Sequence, residues 1–228
     1  MTPVFRPMLA RGFDTAFALV ARAGLAGVTY AIPEGLSASL PAGRPVLLFG
    51  NHASNWDGFL YRRLQQRLHP GSPGTPIYSV MLESELRRFP LFRRLGGLGL
   101  DPASPLSSLA ILRALKEARS GGSRSDFFVT VFPQGTTMPA SKRPLEFREG
   151  VRAFARAMAP ATLVPVALRY ELLGSLRPRA FVTVGEAIPC DTEAPELGVL
   201  EARVTSLLDD LDAKLCAGGE AFARGENR

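Results

Sequence analysis

From residue 45 onward, short apolar runs alternate with stretches whose apolar residues recur at helical spacing. The runs 45–50 (PVLLFG), 76–81 (PIYSVM), 127–132 (FFVTVF), 162–168 (TLVPVAL) and 179–184 (RAFVTV) predict strands. Between them, helices are predicted at about 57–68, 83–94, 104–119, 147–158 and 196–215. Strands that read as continuous apolar runs suit a sheet covered on both faces. Their alternation with helices predicts an α/β fold, a single mixed, largely parallel sheet covered by helices. The Pro/Gly-rich stretches 69–76 (HPGSPGTP) and 120–125 (SGGSRS) read as loops within that domain, because the pattern resumes on either side. No internal repeat is visible.

Residues 4–29 read as an N-terminal amphipathic helical segment, one helix or two broken near Gly24. Phe5, Met8, Leu9, Phe13, Phe17 and Val20 recur at helical spacing, and Arg6, Arg11 and Arg22 add positive charge. Such a stripe either docks on the core or lies in a membrane interface, phenylalanines in the acyl boundary and arginines among anionic headgroups. The expected division is a helical, membrane-associating segment at 1–35 and the main domain at 36–228.

The composition changes this picture only at the level of partners. With 228 residues, 46% hydrophobic and 21% charged, the chain is an ordinary globular one, and collagen-like, disulfide-scaffold and disordered classes are excluded. Lys+Arg 27 against Asp+Glu 21 leaves a net charge of +6, and 24 of the basic residues are arginine. An excess of this sign admits phospholipid, nucleic acid or an acidic carrier protein. Cys190 and Cys216 lie 26 residues apart with no metal-ligand spacing, and read as free thiols in a reducing cytosol. No secretory signal is visible, and no stretch reaches the roughly 20 apolar residues of a spanning helix. The expected location is cytoplasmic, peripheral on the cytosolic face of a membrane.

Histidine is scarce: His69 sits in a turn, whereas His52 directly follows a predicted strand in Gly50-Asn51-His52-Ala53-Ser54-Asn55-Trp56-Asp57. A strand end followed by a polar loop and a helix is a common place for function in α/β proteins. If the turn is tight, Asp57 reaches an imidazole nitrogen, fixes the tautomer and stabilises the imidazolium formed when His52 takes a proton. No G-x-S-x-G elbow or neighbouring cysteine supplies a nucleophile, so such a pair would activate an external hydroxyl or water. A second stretch, Phe132-Pro133-Gln134-Gly135-Thr136-Thr137, also follows a predicted strand and exposes backbone N–H groups suited to an oxyanion or phosphate.

Taken together, these stretches resemble the glycerolipid acyltransferase family, whose best-known bacterial members make phosphatidic acid from 1-acylglycerol-3-phosphate. Asn51, His52, Ser54 and Asp57 match the N-H-x-S-x-x-D block, and residues 132–137 stand in place of F-P-E-G-T-R. Val164-Pro165-Val166 matches the V-P-V strand. Glu85-Leu86 with Pro90, Gly96-Gly97, and Phe147-Arg148-Glu149-Gly150-Val151 also look like family segments. The likeness covers about residues 44–190.

The resemblance implies acyl transfer from acyl-CoA or acyl carrier protein to a hydroxyl of a lysolipid acceptor. His52 would be the base and Asp57 its orienter, with no metal and no bound cofactor. Asn51, Ser54, Phe132, Pro133, Gln134, Gly135, Thr136, Thr137, Lys142, Arg143 and Pro165 are the expected substrate-binding residues. Two departures bear on the acceptor. Gln134 replaces a glutamate, and Thr137 and Pro102 stand where the family carries arginines that hold a phosphate. Lys142, Arg143 or Arg148 could substitute; otherwise the acceptor is phosphate-free. A thioesterase or lipid hydrolase using the same pair on water is the alternative chemistry. Nucleic acid is not expected, since the arginines are spread along the chain with no recognition motif.

Overall fold

Val46, Leu47, Leu48, Phe49 and Gly50 are all buried because their strand, β2 (Val46–Gly50), lies inside a sheet with helices on both sides. The computed structural model describes residues 5–69, 75–120 and 126–223. The loops expected at 69–76 and 120–125 therefore fall largely outside the described residues. In chain order the elements begin α1 (Pro7–Gly24), β1 (Gly27–Ala31), α2 (Leu36–Ser39), β2, α3 (Asp57–Leu68) and β3 (Ile77–Leu82). They continue α4 (Glu83–Arg88), α5 (Leu91–Arg94), β4 (Gly97–Leu100), α6 (Pro105–Ser120), β5 (Phe128–Val131) and α7 (Gly150–Met158). The last are β6 (Ala161–Glu171), β7 (Arg179–Val184), β8 (Ile188–Cys190) and α8 (Leu197–Ala223).

The strand order is β1-β7-β6-β2-β5-β3-β4, with β8 paired to β6. Neighbours are parallel except where β6 meets β7 and β8. This is the mixed, largely parallel α/β sheet that the apolar runs predict. Leu47 and Phe49 point to a face covered by α6, α7 and α8, where Ile111, Val151 and Val204 pack. Val46 and Leu48 point to the opposite face, under Leu60, Tyr61 and Leu64 of α3. Alternation along one strand thus feeds both cores.

Pro165 in β6 departs from the rule that proline avoids central strands. Its partner on one side is Phe49 of β2, and its carbonyl accepts the Gly185 N–H at 2.9 Å. Gly185 lies in the interval between β7 and β8, so the N–H that proline lacks faces a break in the ladder.

The N-terminal expectation needs correction. Helix α1 stops at Gly24, and residues 27–31 form β1, paired in parallel with β7, rather than more helix. A Cβ at Gly24 would stand 2.6 Å from the Trp56 ring, so the close approach there requires glycine. The 1–35 segment therefore contributes a strand to the sheet. Its helix docks through Phe17, stacked on Phe59 at 3.9 Å, and through Asp14, bonded to Arg62 and to Gln66. The helix expected at 83–94 is two, broken around Phe89 and Pro90. Proline cannot continue the α4 ladder but sits readily before a new first turn.

Candidate active site

β2 ends at Gly50, where a Cβ would overlap the Val166 carbonyl and Tyr61 Oη. Asn51 then extends the ladder with its side chain. Its Nδ2 donates to the Leu168 carbonyl at 2.9 Å, and its Oδ1 accepts the Leu168 N–H at 2.8 Å. A side-chain amide offers the same donor–acceptor pair as a peptide unit, so β6 is held one rung beyond the end of β2. Buried Asn51 is therefore spent on the frame.

His52 leaves the sheet at that point and is fixed on every side. Its backbone N–H donates to Gln134 Oε1 at 2.8 Å, and its carbonyl accepts the Met138 N–H at 2.7 Å. Phe132 stacks on the imidazole with ring centroids 4.3 Å apart and planes 14° off parallel. His52 Nδ1 lies 2.8 Å from Asp57 Oδ2. A carboxylate only accepts, so Nδ1 carries the proton and Nε2 presents its lone pair outward. The His52 side chain is 23% exposed, which leaves that edge open.

Asp57 is the first residue of α3 and is fully buried. Beside His52, its Oδ2 accepts the N–H groups of Ala53 at 2.7 Å and Ser54 at 2.9 Å. The carboxylate thus closes the tight turn while it binds the ring. Oδ1 accepts the Tyr170 hydroxyl at 2.5 Å. Burial, reinforced by the Asp57 charge, pushes the Tyr170 phenol far above its usual range, so it stays a donor. Tyr61, also enclosed and close to Asp57, is raised for the same two reasons.

The second stretch meets the first from β5. Pro133 and Gln134 are buried, while Gly135, Thr136 and Thr137 form an exposed rim. Gly135 takes φ +73°, a conformation that favours glycine. A Cβ at Gly135 would stand 3.3 Å from Arg148 Cζ, so the guanidinium lies over this turn. Arg148 is anchored by its own N–H on the Pro133 carbonyl at 3.0 Å.

Of the other expected residues, Ser54 serves the turn, its Oγ accepting the Trp56 N–H at 3.3 Å. Pro165 stays inside the sheet. Lys142 is turned to Glu146 at 3.0 Å, and Arg143 to Asp209 at 2.7 Å. Neither cation is left over for a ligand, whereas Arg148 has no acidic partner among the described residues. Tyr170 escaped the sequence reading altogether, since it lies 113 residues from Asp57 with no spacing to connect them.

An apolar groove of about 330 Å³ opens beside the loop, lined by Phe13, Phe17, Val20, Trp56, Phe59 and Phe92. Asn55 also borders it, so two residues between His52 and Asp57 reach its wall.

The mostly parallel sheet thus carries a histidine–carboxylate pair at the end of a central strand. The family model for acyltransferases matches residues 34–169, and the chain belongs to that family. It is an acyltransferase. Its fold resembles the crystal structure of the 1-acyl-sn-glycerophosphate (LPA) acyltransferase PlsC from Thermotoga maritima. The TM-score is 0.56 at 17% sequence identity, over 90% of this chain and 79% of that one. No curated protein matches its sequence.

Proposed function

We propose that the enzyme moves a fatty acyl group from an acyl thioester, acyl-CoA or acyl carrier protein, to a hydroxyl of a lysolipid acceptor. The observation that carries this reading is the His52 Nδ1 to Asp57 Oδ2 bond at 2.8 Å, with the opposite ring edge open. Nε2 takes the acceptor's hydroxyl proton as the oxygen attacks the thioester carbonyl. Asp57 stabilises the imidazolium that forms. When the tetrahedral intermediate collapses, the carbon–sulfur bond breaks and the imidazolium returns the proton to the departing thiolate. The backbone N–H of Thr136 in the rim is the candidate oxyanion donor, since the Gly135 N–H is spent on the Phe132 carbonyl at 3.0 Å. No serine hydroxyl or cysteine thiol is hydrogen-bonded to the His52 ring among the described residues, which favours direct transfer over a covalent enzyme intermediate.

The apolar groove beside Trp56 is suited to the acyl chain, and the exposed rim to the acceptor. Arg148 is placed to take over the phosphate contact that Thr137 cannot make, which favours a phosphate-bearing lysolipid over a phosphate-free one. The setting proposed for the reaction is an anionic membrane surface on the cytosolic side, with α1 against the lipid. No helix among the described residues is long and apolar enough to cross a membrane.

The test is thiol release from each donor, with and without acceptor, for the wild type and His52→Ala. Release that requires acceptor and disappears in His52→Ala supports the reading. Equal release without acceptor would make the enzyme a hydrolase, and full activity in His52→Ala would remove the histidine from the chemistry. Arg148→Ala refines the acceptor: KM for a phosphate-bearing lysolipid should rise about tenfold or more. An unchanged KM, with a phosphate-free acceptor used equally well, would point to the phosphate-free class.

A further inference from the structure

Among the described residues Asp57 is the only carboxylate hydrogen-bonded to His52, and its two oxygens are held differently. Oδ2 takes three donors from its own turn, the ring and two backbone N–H groups. Oδ1 has one hydrogen-bond donor among the described residues, the Tyr170 hydroxyl. That phenol comes from β6, a strand on the far side of β2 from the Gln134 loop. β6 outruns β2: Gly50 pairs with Val166, the Asn51 side chain holds Leu168, and Tyr170 stands two residues further on the same face as Leu168. The sheet thus delivers a donor to the back of the carboxylate, opposite the oxygen that holds the imidazole.

We infer that Tyr170 is a positioning residue for the acyl transfer, acting through Asp57 to fix the orientation of the carboxylate that aligns His52. A carboxylate with a single anchored oxygen can pivot about it, and each pivot moves the Nδ1 bond and with it the aim of Nε2. Anchoring Oδ1 from a different element removes that freedom before substrate arrives. The second donor also gives the buried carboxylate a hydrogen-bond partner on each of its oxygens. Tyr30 of β1 and Tyr61 of α3 lie nearby, but neither donates to Asp57. This role rests on the reading of His52 as base, and its test is built to stand apart from that reading.

Tyr170→Phe keeps the ring and removes the donor. The expected result is a fall in kcat of about tenfold or more, as for a lost hydrogen bond to a charged group, with KM changed less than twofold. In an Asp57→Asn background the same substitution should cost less, because only a neutral contact is left there to lose. A separate readout needs no turnover. The chain has two histidines, so labelled-histidine NMR resolves His52 with His69 as internal control. Tyr170→Phe should move the His52 Nδ1–H resonance and leave His69 in place. If Tyr170→Phe does not fold, site-specific incorporation of 3-fluorotyrosine at position 170, a stronger phenol donor of nearly the same shape, should move the same resonance in the otherwise unaltered chain. Unmoved His52 resonances, or equal kcat losses in both backgrounds, would overturn the inference. Activity retained in His52→Ala would instead strike only the reading of His52 as base, since the resonance reports the Tyr170–Asp57–His52 contact without it.

Discussion

Replacing Asp57 by asparagine and by alanine should separate its structural work from its charge. The buried carboxylate receives four donors: His52 Nδ1–H, the N–H groups of Ala53 and Ser54, and the Tyr170 hydroxyl. An asparagine can keep all four contacts. Its oxygen takes the place of Oδ2, and its amide nitrogen faces Tyr170, whose oxygen then accepts. The bonds weaken from the charged to the neutral class, but the cost of burying a carboxylate also disappears, so stability should stay within about 2 kcal/mol of wild type. Alanine removes every acceptor at once. Each donor left without a partner costs about 1–3 kcal/mol, so Asp57→Ala should lose at least about 4 kcal/mol even after some rehydration.

Activity should not follow stability. With asparagine the imidazolium has no counter-charge, and kcat should fall by about 10²–10⁴-fold while the fold survives. Urea unfolding gives the first quantity, and acceptor-dependent thiol release gives the second. An Asp57→Asn enzyme of near wild-type kcat would refute the role of the charge. One that unfolds as readily as Asp57→Ala would refute the hydrogen-bond accounting.

Three further outcomes follow from other parts of the fold. All four tyrosines (Tyr30, Tyr61, Tyr78 and Tyr170) are pushed above the ordinary phenol range, burial being the main cause, with Tyr30 raised to about 12. A pKa raised in the folded state stabilises fully below the unfolded value near 10 and is lost as pH rises through the folded one. Tyr30 alone should therefore cost on the order of 2–3 kcal/mol between pH 10 and 12. Tyrosinate absorbance should then rise together with unfolding, and an early, separate rise near pH 10 would contradict it. Gly50→Ala places a methyl against the Val166 carbonyl, which β2–β6 pairing holds in place. It should destabilise by roughly 3 kcal/mol or more in denaturant unfolding, and a loss under about 1 kcal/mol would refute the packing. Met8 and Leu19 of α1 are 87% and 67% exposed on the side away from Phe17, flanked by Arg11 and Arg22. Replacing both by serine should weaken sedimentation with anionic vesicles about tenfold or more, whereas equal sedimentation would remove α1 from the lipid contact.

The parts of the fold written in local patterns were legible in the sequence. Strands β2, β3, β5, β6 and β7 are apolar runs because both faces are covered, and they lie where those runs fall. β1, β4 and β8 were not legible, for different reasons. Gly27–Ala31 is half-buried and follows a helix without a strong stop. Gly97–Leu100 spends two of its four positions on glycines, one pressed against Leu86 and the other against Glu83. Ile188–Cys190 is too short to show a period. The candidate site divides the same way. The five-residue reach from His52 to Asp57 could be read along the chain, but Gln134 beneath His52, Arg148 over Gly135 and Tyr170 behind Asp57 are set by sheet order, which no local spacing encodes.

That division has a physical basis in the task assigned to His52. A short loop can bring a carboxylate to an imidazole, but it cannot by itself hold the pair still, because its backbone groups would otherwise be free to exchange with water. Here the loop is tied to β6 through Asn51 and Tyr170, and to the segment after β5 through Gln134 and Met138. β6 and β5 are the two neighbours of β2. The ring is therefore braced from both sides of the strand that carries it, which is possible only at the end of a central strand and not at a sheet edge. The proposed proton transfer would reward such bracing, since the acceptor oxygen, Nε2 and the thioester carbonyl would have to align within roughly half an ångström. The rim at Gly135–Thr137 is exposed, with the Gly135 N–H held on the Phe132 carbonyl and the neighbouring Arg148 N–H on the Pro133 carbonyl. The departures at Gln134 and Thr137 differ in this respect: Gln134 keeps its amide oxygen on the His52 N–H, inside the brace, while Thr137 faces solvent outside it.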